Sequence, residues 1–558
     1  MNIDINSIGY RWRGIYSPFL SYLERDVVYQ NGGAYVIRSG VPVAFALGQQ
    51  DAVLKGSLLT GGVSVGGTWG MVLHANANGT IEFRFMRDRN STIATSLMNT
   101  YGSGGCYTSR HYMMAIMSEG DVRGWGRGLS GQLATGRADD WGQTFPRRTP
   151  FPPGTPRIVS IKSNWSETYF IDAAGGLWHA GENAISASGT NTQNSIPKKL
   201  NGLGDLASSA VVVKVFSSID YFDNRKQGCI DSKGIVYMWG VNSNGIGGWG
   251  NTTNSVTPKV VPISTRYPMK DAFVAGGNTS ASYLIDTFGR MWVAGEVNAN
   301  GTGAELYDHR LFAPWGENNG VKTVTVSSSD EQDPTSLENY RAYAVVLDNG
   351  ALYMWGHDGV NTGGRWGVGV TGDIWPGTAG PLGAGSPIKC LDGVADAYSF
   401  AGWQGRTVAL MQDGTVKRAG TAGLGAAGEA AGTTGWTTIG GSLLTGVKKL
   451  RAVGGGYATA VMALRSDGKA VSWGYGGAGN HGSSNVGDAD AISLVALDKT
   501  IVDFQTTGSL YVSTSIVNSL SNFFLTSDGG VYGTGYAGYG LMSDVHDLQR
   551  NTPSNIFF

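Results

Sequence analysis

Eight short stretches of this chain share one arrangement of apolar and polar positions. Each reads Gly, any residue, an apolar residue, two more residues, then Trp or a small residue, then Gly. The copies are GDVRGWG from Gly120, GGLWHAG from Gly175, GIVYMWG from Gly234, GRMWVAG from Gly289, GALYMWG from Gly350, GTVKRAG from Gly414, GKAVSWG from Gly468 and GGVYGTG from Gly529. They recur every 54 to 64 residues, a spacing that marks a repeat architecture. A second alternating run precedes the opening Gly, as in YAVVLDNG, TVALMQDG and AVMALRSDG. Asp-Gly or Asn-Gly between two such runs predicts a β-hairpin, because the turn needs positive φ and Gly supplies it without a steric cost.

After the turn, Val122, Val236, Met291, Leu352, Val416, Ala470 and Val531 share one register position. Side chains two apart share a face of a strand, so this position should point between sheets. Trp125, Trp239, Trp355 and Trp473 would be large buried plates on the same face, framed by Gly120 and Gly126, Gly234 and Gly240, Gly350 and Gly356, and Gly468 and Gly474. Where Ala180 and Ala294 replace the plate, Trp178 and Trp292 stand two residues earlier on that face, which keeps the volume.

Gly/Asn-rich loops follow the hairpins, and Pro197, Pro258 and Pro387 would then open the next unit. No segment within a repeat sustains a 3.6-residue apolar period. The expectation is an all-β chain: a closed β-propeller of seven to eight four-stranded blades, with eight hairpins counted, behind a small N-terminal β module. The phrase DVRGWGRGLSGQLATG, followed by PRRTP at Pro146–Pro150, resembles the repeat of the regulator-of-chromosome-condensation family. The resemblance covers about residues 98–558 and is weakest in the sixth and eighth copies. It implies a seven-bladed propeller, against eight hairpins here, and the role of a cellular scaffold or nucleotide-exchange regulator. The closing NTPSNIFF holds a spare strand from Pro553, expected to complete the first blade and close the ring.

Residues 1–97 fall outside the repeat and read as an attachment or assembly module with a linker. Trp12 and Tyr16, then Asp26-Val27-Val28-Tyr29, a Gly-Gly turn and Tyr35 resemble the small all-β modules at the front of bacteriophage tail fibres and in some chitinases. A second Trp often stands where Tyr16 is found, so a small apolar core is favoured over sugar stacking. A short helix around Asp51–Leu54 and a strand over Thr80–Asp88 complete the expectation for this part.

Composition removes several functions. The chain has 558 residues, 87 of them Gly, and a formal net charge of −1, which argues against nucleic acid or an anionic membrane as the partner. No apolar run reaches the eighteen residues of a membrane span. Cys106, Cys229 and Cys390 are far apart and predict buried free thiols. The seven His residues show no metal-ligand spacing, and the acidic groups at Asp139-Asp140, Asp330-Glu331-Asp333 and Asp488–Asp490 read as solvated loop ends. Strings such as GVGVTG open no βα unit and carry no nucleotide inference. No catalytic residue, metal or cofactor is expected, and the chain is read as a non-enzyme.

The remaining candidates are loop aromatics, since loops on a rigid scaffold carry recognition. Trp141, Trp249, Trp366 and Trp375 are the expected ligand-binding residues. Together with the tail-fibre resemblance they point to a multi-copy virion protein assembled in a host cytoplasm, a tail fibre or a receptor-binding or decorating part. Residues 1–97 would hold other virion proteins, and the loops would meet a host-surface glycan or protein. A cellular propeller scaffold or exchange regulator, and a bacterial lectin or glycan-acting enzyme, are the alternatives.

Overall fold

The computed structural model describes six strands between Arg11 and Met86 and, between Ala94 and Ile556, the blade strands with part of their connections. The connections at 101–111, 137–142, 164–165, 183–192, 218–225, 243–244, 275–280, 297–307, 316–320, 333–338, 357–363, 370–387, 401–405, 421–432, 455–458, 475–480, 484–488, 508–509, 513–515 and 537–548 lie outside the described residues, as does the expected helix at Asp51–Leu54.

The chain divides into two compact units, one over residues 1–92 with the last residue and one over 93–557. In the first, Asp26–Gln30 and Gly33–Arg38 form a hairpin that Val41–Ala44 extends, and Arg11–Ile15 pairs parallel to Asp26–Gln30. Gly70–Ala75 pairs with Ile81–Met86, within the stretch expected to be extended.

The second unit is a propeller of eight four-stranded antiparallel blades, spanning residues 94–148, 158–199, 212–260, 269–315, 321–391, 394–438, 447–494 and 501–556. The strands of each blade are called inner, second, third and outer here. The second and third strands are the hairpins read from the sequence, as in Tyr112–Met117 with Val122–Gly126. Their described side chains are buried throughout in blade after blade. Trp125, Trp239, Trp355 and Trp473 are all within 1% of full burial, each packed on the preceding blade. Covering one such ring system is worth about 4–6 kcal/mol by area, an upper bound.

The blades are joined by one recurring backbone bond. The first residue of an inner strand donates its N–H to the carbonyl of the opening Gly of the preceding blade: Val212 to Gly175, Met269 to Gly234, Val321 to Gly289, Val394 to Gly350, Val447 to Gly414 and Ile501 to Gly468. A side chain cannot fit at these glycines. Gly234 has φ +78° and a Cβ there would meet the Met269 nitrogen at 2.8 Å.

The same bond closes the ring, from Ala94 N–H to Gly529 at 2.9 Å. Two expectations are corrected here. The propeller starts before Met98, because Ala94–Leu97 is the inner strand of blade 1. The C-terminal strand Gln549–Ile556 pairs with Val531–Tyr536 inside blade 8 and does not complete blade 1. The prolines mark the outer strand of a blade and not the start of the next one. Pro197, Pro258 and Pro553 all lie in outer strands of their own blades, where a missing N–H is tolerated at the sheet edge.

Candidate functional site

The inner strands converge on the axis, where those of neighbouring blades touch. They share a pattern outside the Gly–Trp frame: a buried residue, an exposed one, a half-buried one, then a buried one, as in Ile158–Ser163 and Val212–Ser217. In all eight blades the register with the second strand slips between the first and third residues. Such a bulge turns two consecutive side chains out of the sheet. The second positions include Val159, Val213, Lys270, Lys448 and Val502; the third include Ser160, Lys214, Asp271, Asp396, Lys449 and Asp503.

The third positions carry charge that pairs around the ring. Lys214 of blade 3 bonds Asp271 of blade 4. Lys449 of blade 7 bonds Asp503 of blade 8 at 2.5 Å and donates a second bond to the Phe504 carbonyl at 2.7 Å. These pairs stand four blades apart, on opposite sides of the axis. Tyr398 of blade 6 donates to the Leu450 carbonyl of blade 7 at 3.1 Å. Side chains thus satisfy carbonyls on the inner edge of the next blade, which has no neighbouring strand of its own.

Two residues further along their strands stand Lys162 and Arg451. A short strand, Asn99–Thr100, pairs parallel to blade 2 opposite Lys162 and Ser163, covering that inner edge. Burial, and after it the charges of Lys214 and Arg451, pull the Lys162 ammonium down to about 7, with Asp271 opposing. Burial also lowers Lys449, against the pull of Asp503. Arg451 forms one wall of a narrow crevice between blades 7 and 8, which Ser472, His481, Thr506 and Asn522 also line.

The face that carries the hairpins is unusually apolar near the axis. Val159, Val213 and Val502 are 47%, 56% and 43% exposed at second positions, beside Val211 and the hairpin residue Phe288 at 73%. They come from blades 8, 2, 3 and 4, with the exposed Thr95 at the second position of the intervening blade 1, while Lys270 and Lys448 add exposed cations in blades 4 and 7. Exposed apolar side chains gathered in this way mark a contact surface.

The sequence candidates fare differently. Trp366 is fully buried among Val346, Met354, Val394 and Ala397, with the Arg365 guanidinium 3.8 Å from its ring centre, so it seals the joint of blades 5 and 6 and offers no ligand face. Trp249 is half-buried against blade 4, under the Lys259 ammonium at 4.8 Å. Trp141 and Trp375 lie outside the described residues. The paired carboxylates at Asp139 and Asp140 lie outside them as well, and Cys229 and Cys390 are buried free thiols. Among the described residues no group of three His, Cys, Asp or Glu side chains could hold a metal, and no helix is long and apolar enough to cross a membrane. The axial ring was missed because the bulge interrupts the alternation that would have identified the inner strands.

No family model matches the chain. It is 27% identical over 257 residues to the RCC1 domain-containing protein RUG3, mitochondrial, of Arabidopsis thaliana, covering 45% of this chain and 52% of that relative. The chain therefore matches about half the length of this curated relative. Among solved structures, Prp20p of Saccharomyces cerevisiae, described with its binding to Gsp1p and histones, is 18% identical with a TM-score of 0.45, covering 74% of this chain and 90% of that one. Human WBSCR16 is 19% identical with a TM-score of 0.44, covering 69% and 96%.

Proposed function

We propose that this chain is a non-catalytic propeller scaffold that binds a protein partner across the axial part of its hairpin face. The observation that carries this is the apolar set of Val159, Val211, Val213, Phe288 and Val502 on a ring whose joints are closed by backbone bonds. The complementary partner presents an apolar anchor next to carboxylates, since Lys270 and Lys448 flank the mouth. The RCC1-domain similarity favours this reading over the virion appendage expected from the first hundred residues.

A photo-cross-linker at Val213 tests it, compared with one at Val256, an exposed valine on the outer strand of the same blade. Capture of one defined protein at Val213 alone, abolished by Val159→Glu, is the expected result. Equal capture at both sites would refute the assignment of the face. A symmetric multimer in light scattering of the full chain would return the virion reading.

A further inference from the structure

We propose that an acidic peptide segment carrying a bulky apolar residue, presented by the partner protein, lies across blades 2 to 4 of the hairpin face and is turned away from blades 5 to 8. This deepens the reading of that face as a contact surface and rests on it.

The residue before each inner strand is wedged between two successive hairpin tips. Its carbonyl accepts from the tip of its own blade: Arg157 from the Ala173 N–H, Val211 from Ser232 and Pro268 from Thr287, at 2.7 to 2.9 Å. Its side chain lies against the turn of the blade before, since a Cβ on Gly120, Gly175 or Gly234 would fall 2.5 to 2.7 Å from carbons of Arg157, Val211 and Pro268. Wedges and tips thus form one unbroken surface from Arg157 to Phe288. In blades 6 to 8 the same place holds Gly393, Gly446 and Thr500, two of them without a side chain.

Charge divides along the same line. In blades 2 to 4 the turn carboxylates Asp172, Asp231 and Asp286 are buried, so the tips present no acid to solvent. The exposed cations beside them, Arg157, Lys233, Arg266 and Lys270, make no ion pair among the described residues. Among the described residues of this sector one carboxylate is exposed on the face, Asp205, and it accepts from the Val260 N–H at 2.9 Å on the outer strand of blade 3. In blades 5 to 8 every tip carries an exposed carboxylate, Asp348, Asp413, Asp467 and Asp528. Arg465 and Lys499 are taken up by Asp467 and Asp528, while Lys448 and Lys469 remain in the blade whose tip is Asp467.

The apolar part coincides with the cationic sector. Phe288, 73% exposed, is steadied by the Arg290 guanidinium 5.2 Å from its ring, which Asp286 fixes at 2.6 Å. An aromatic anchor held in place loses little freedom on binding. Cations set around exposed valines and a phenylalanine are matched by carboxylates flanking an apolar side chain. A phosphate backbone would satisfy the cations and leave the apolar surface uncovered, which decides against nucleic acid.

Selection of random dodecapeptides on the immobilised full chain, followed by affinity measurements with the selected peptides, tests the inference. Enrichment of Asp and Glu around Trp, Phe or Leu is expected. Lys233→Glu and Lys270→Glu should each weaken the best peptide by about fivefold or more, while Lys469→Glu, the same charge change on the acidic half, should leave it within about twofold. All three side chains are exposed, so none of the variants is expected to disturb the fold. Selected peptides without an acidic excess, no enriched peptide, or equal losses at Lys233 and Lys469 would overturn the inference. So would tighter binding of an oligothymidylate that depends on Lys233 and Lys270, which would give the cations to a phosphate backbone. The cross-linker at Val213 is indifferent to the partner's charge. Capture there, together with selected peptides of neutral composition, would remove this inference and leave the contact face standing.

Discussion

The hairpins of blades 2 to 4 and those of blades 6 to 8 solve the same turn in two ways. In the first group an Asp three residues before the opening Gly is buried and holds the turn from inside. Asp172 accepts from the backbone N–H of Ala174 and Gly176 at 2.9 and 2.8 Å, and its other oxygen accepts from the Trp178 indole at 2.8 Å. Asp286 does the same for Phe288, Arg290 and the Trp292 indole. Asp231 holds Lys233 and Ile235, with the Tyr237 hydroxyl at 3.4 Å. In the second group an Asp directly before the Gly caps the turn from outside: Asp413 to Thr415, Asp467 to Lys469 and Asp528 to Gly530. The comparison explains the displaced tryptophans. An indole can move to Trp178 or Trp292 only where a buried carboxylate waits for its N–H.

Breaking the inner solution should have the largest effect. Asp172→Ala leaves two backbone donors and an indole unsatisfied in the core and is expected to cost about 3 kcal/mol in denaturant unfolding. Trp178→Phe keeps most of the volume but removes the donor to Asp172, for about 1–2 kcal/mol. A double-mutant cycle on this pair should show coupling, because the two effects share one hydrogen bond. The outer solution should be tolerant: Asp467→Ala, on a side chain 44% exposed, is expected within about 0.5 kcal/mol of the parent.

Acid sharpens the contrast at the last hairpin. The Lys499 ammonium, 2.5 Å away, and then the Thr526 hydroxyl hold Asp528 down at about 2, against an ordinary value of 3.8. A carboxyl lowered on folding adds stability that is complete above its unfolded value and is lost as pH falls through the folded one. The contribution of Asp528 should therefore fade between about pH 4 and pH 2, and Asp528→Asn should remove that part of the acid slope. A slope unchanged in the variant would assign it to other groups.

Much of this was legible. Opening Gly, apolar third position and plate are dictated by turn sterics and strand period, so eight hairpins could be counted and Trp125, Trp239, Trp355 and Trp473 placed. The two hairpin types were written in the sequence too, as IDAAGG, IDSKG and IDTFG against QDG and SDG. What escaped were features set by long-range pairing. Ala94–Leu97 is an inner strand because Gly529, far away in sequence, accepts its first N–H. The axial ring depends on a bulge, which defeats a period of two. Trp366 sits in a Gly-rich stretch that reads as loop, yet it folds back into the joint of two blades.

The central claim is a closed ring of eight blades with the same backbone bond at seven of its joints, and hydrogen exchange at the joint amides tests it most directly. Ala94, Val212, Met269, Val394, Val447 and Ile501 should exchange together at the slow rate of global unfolding. Fast exchange at Ala94 with slow exchange at the others would mean that the ring is open between blades 8 and 1, and would contradict the account.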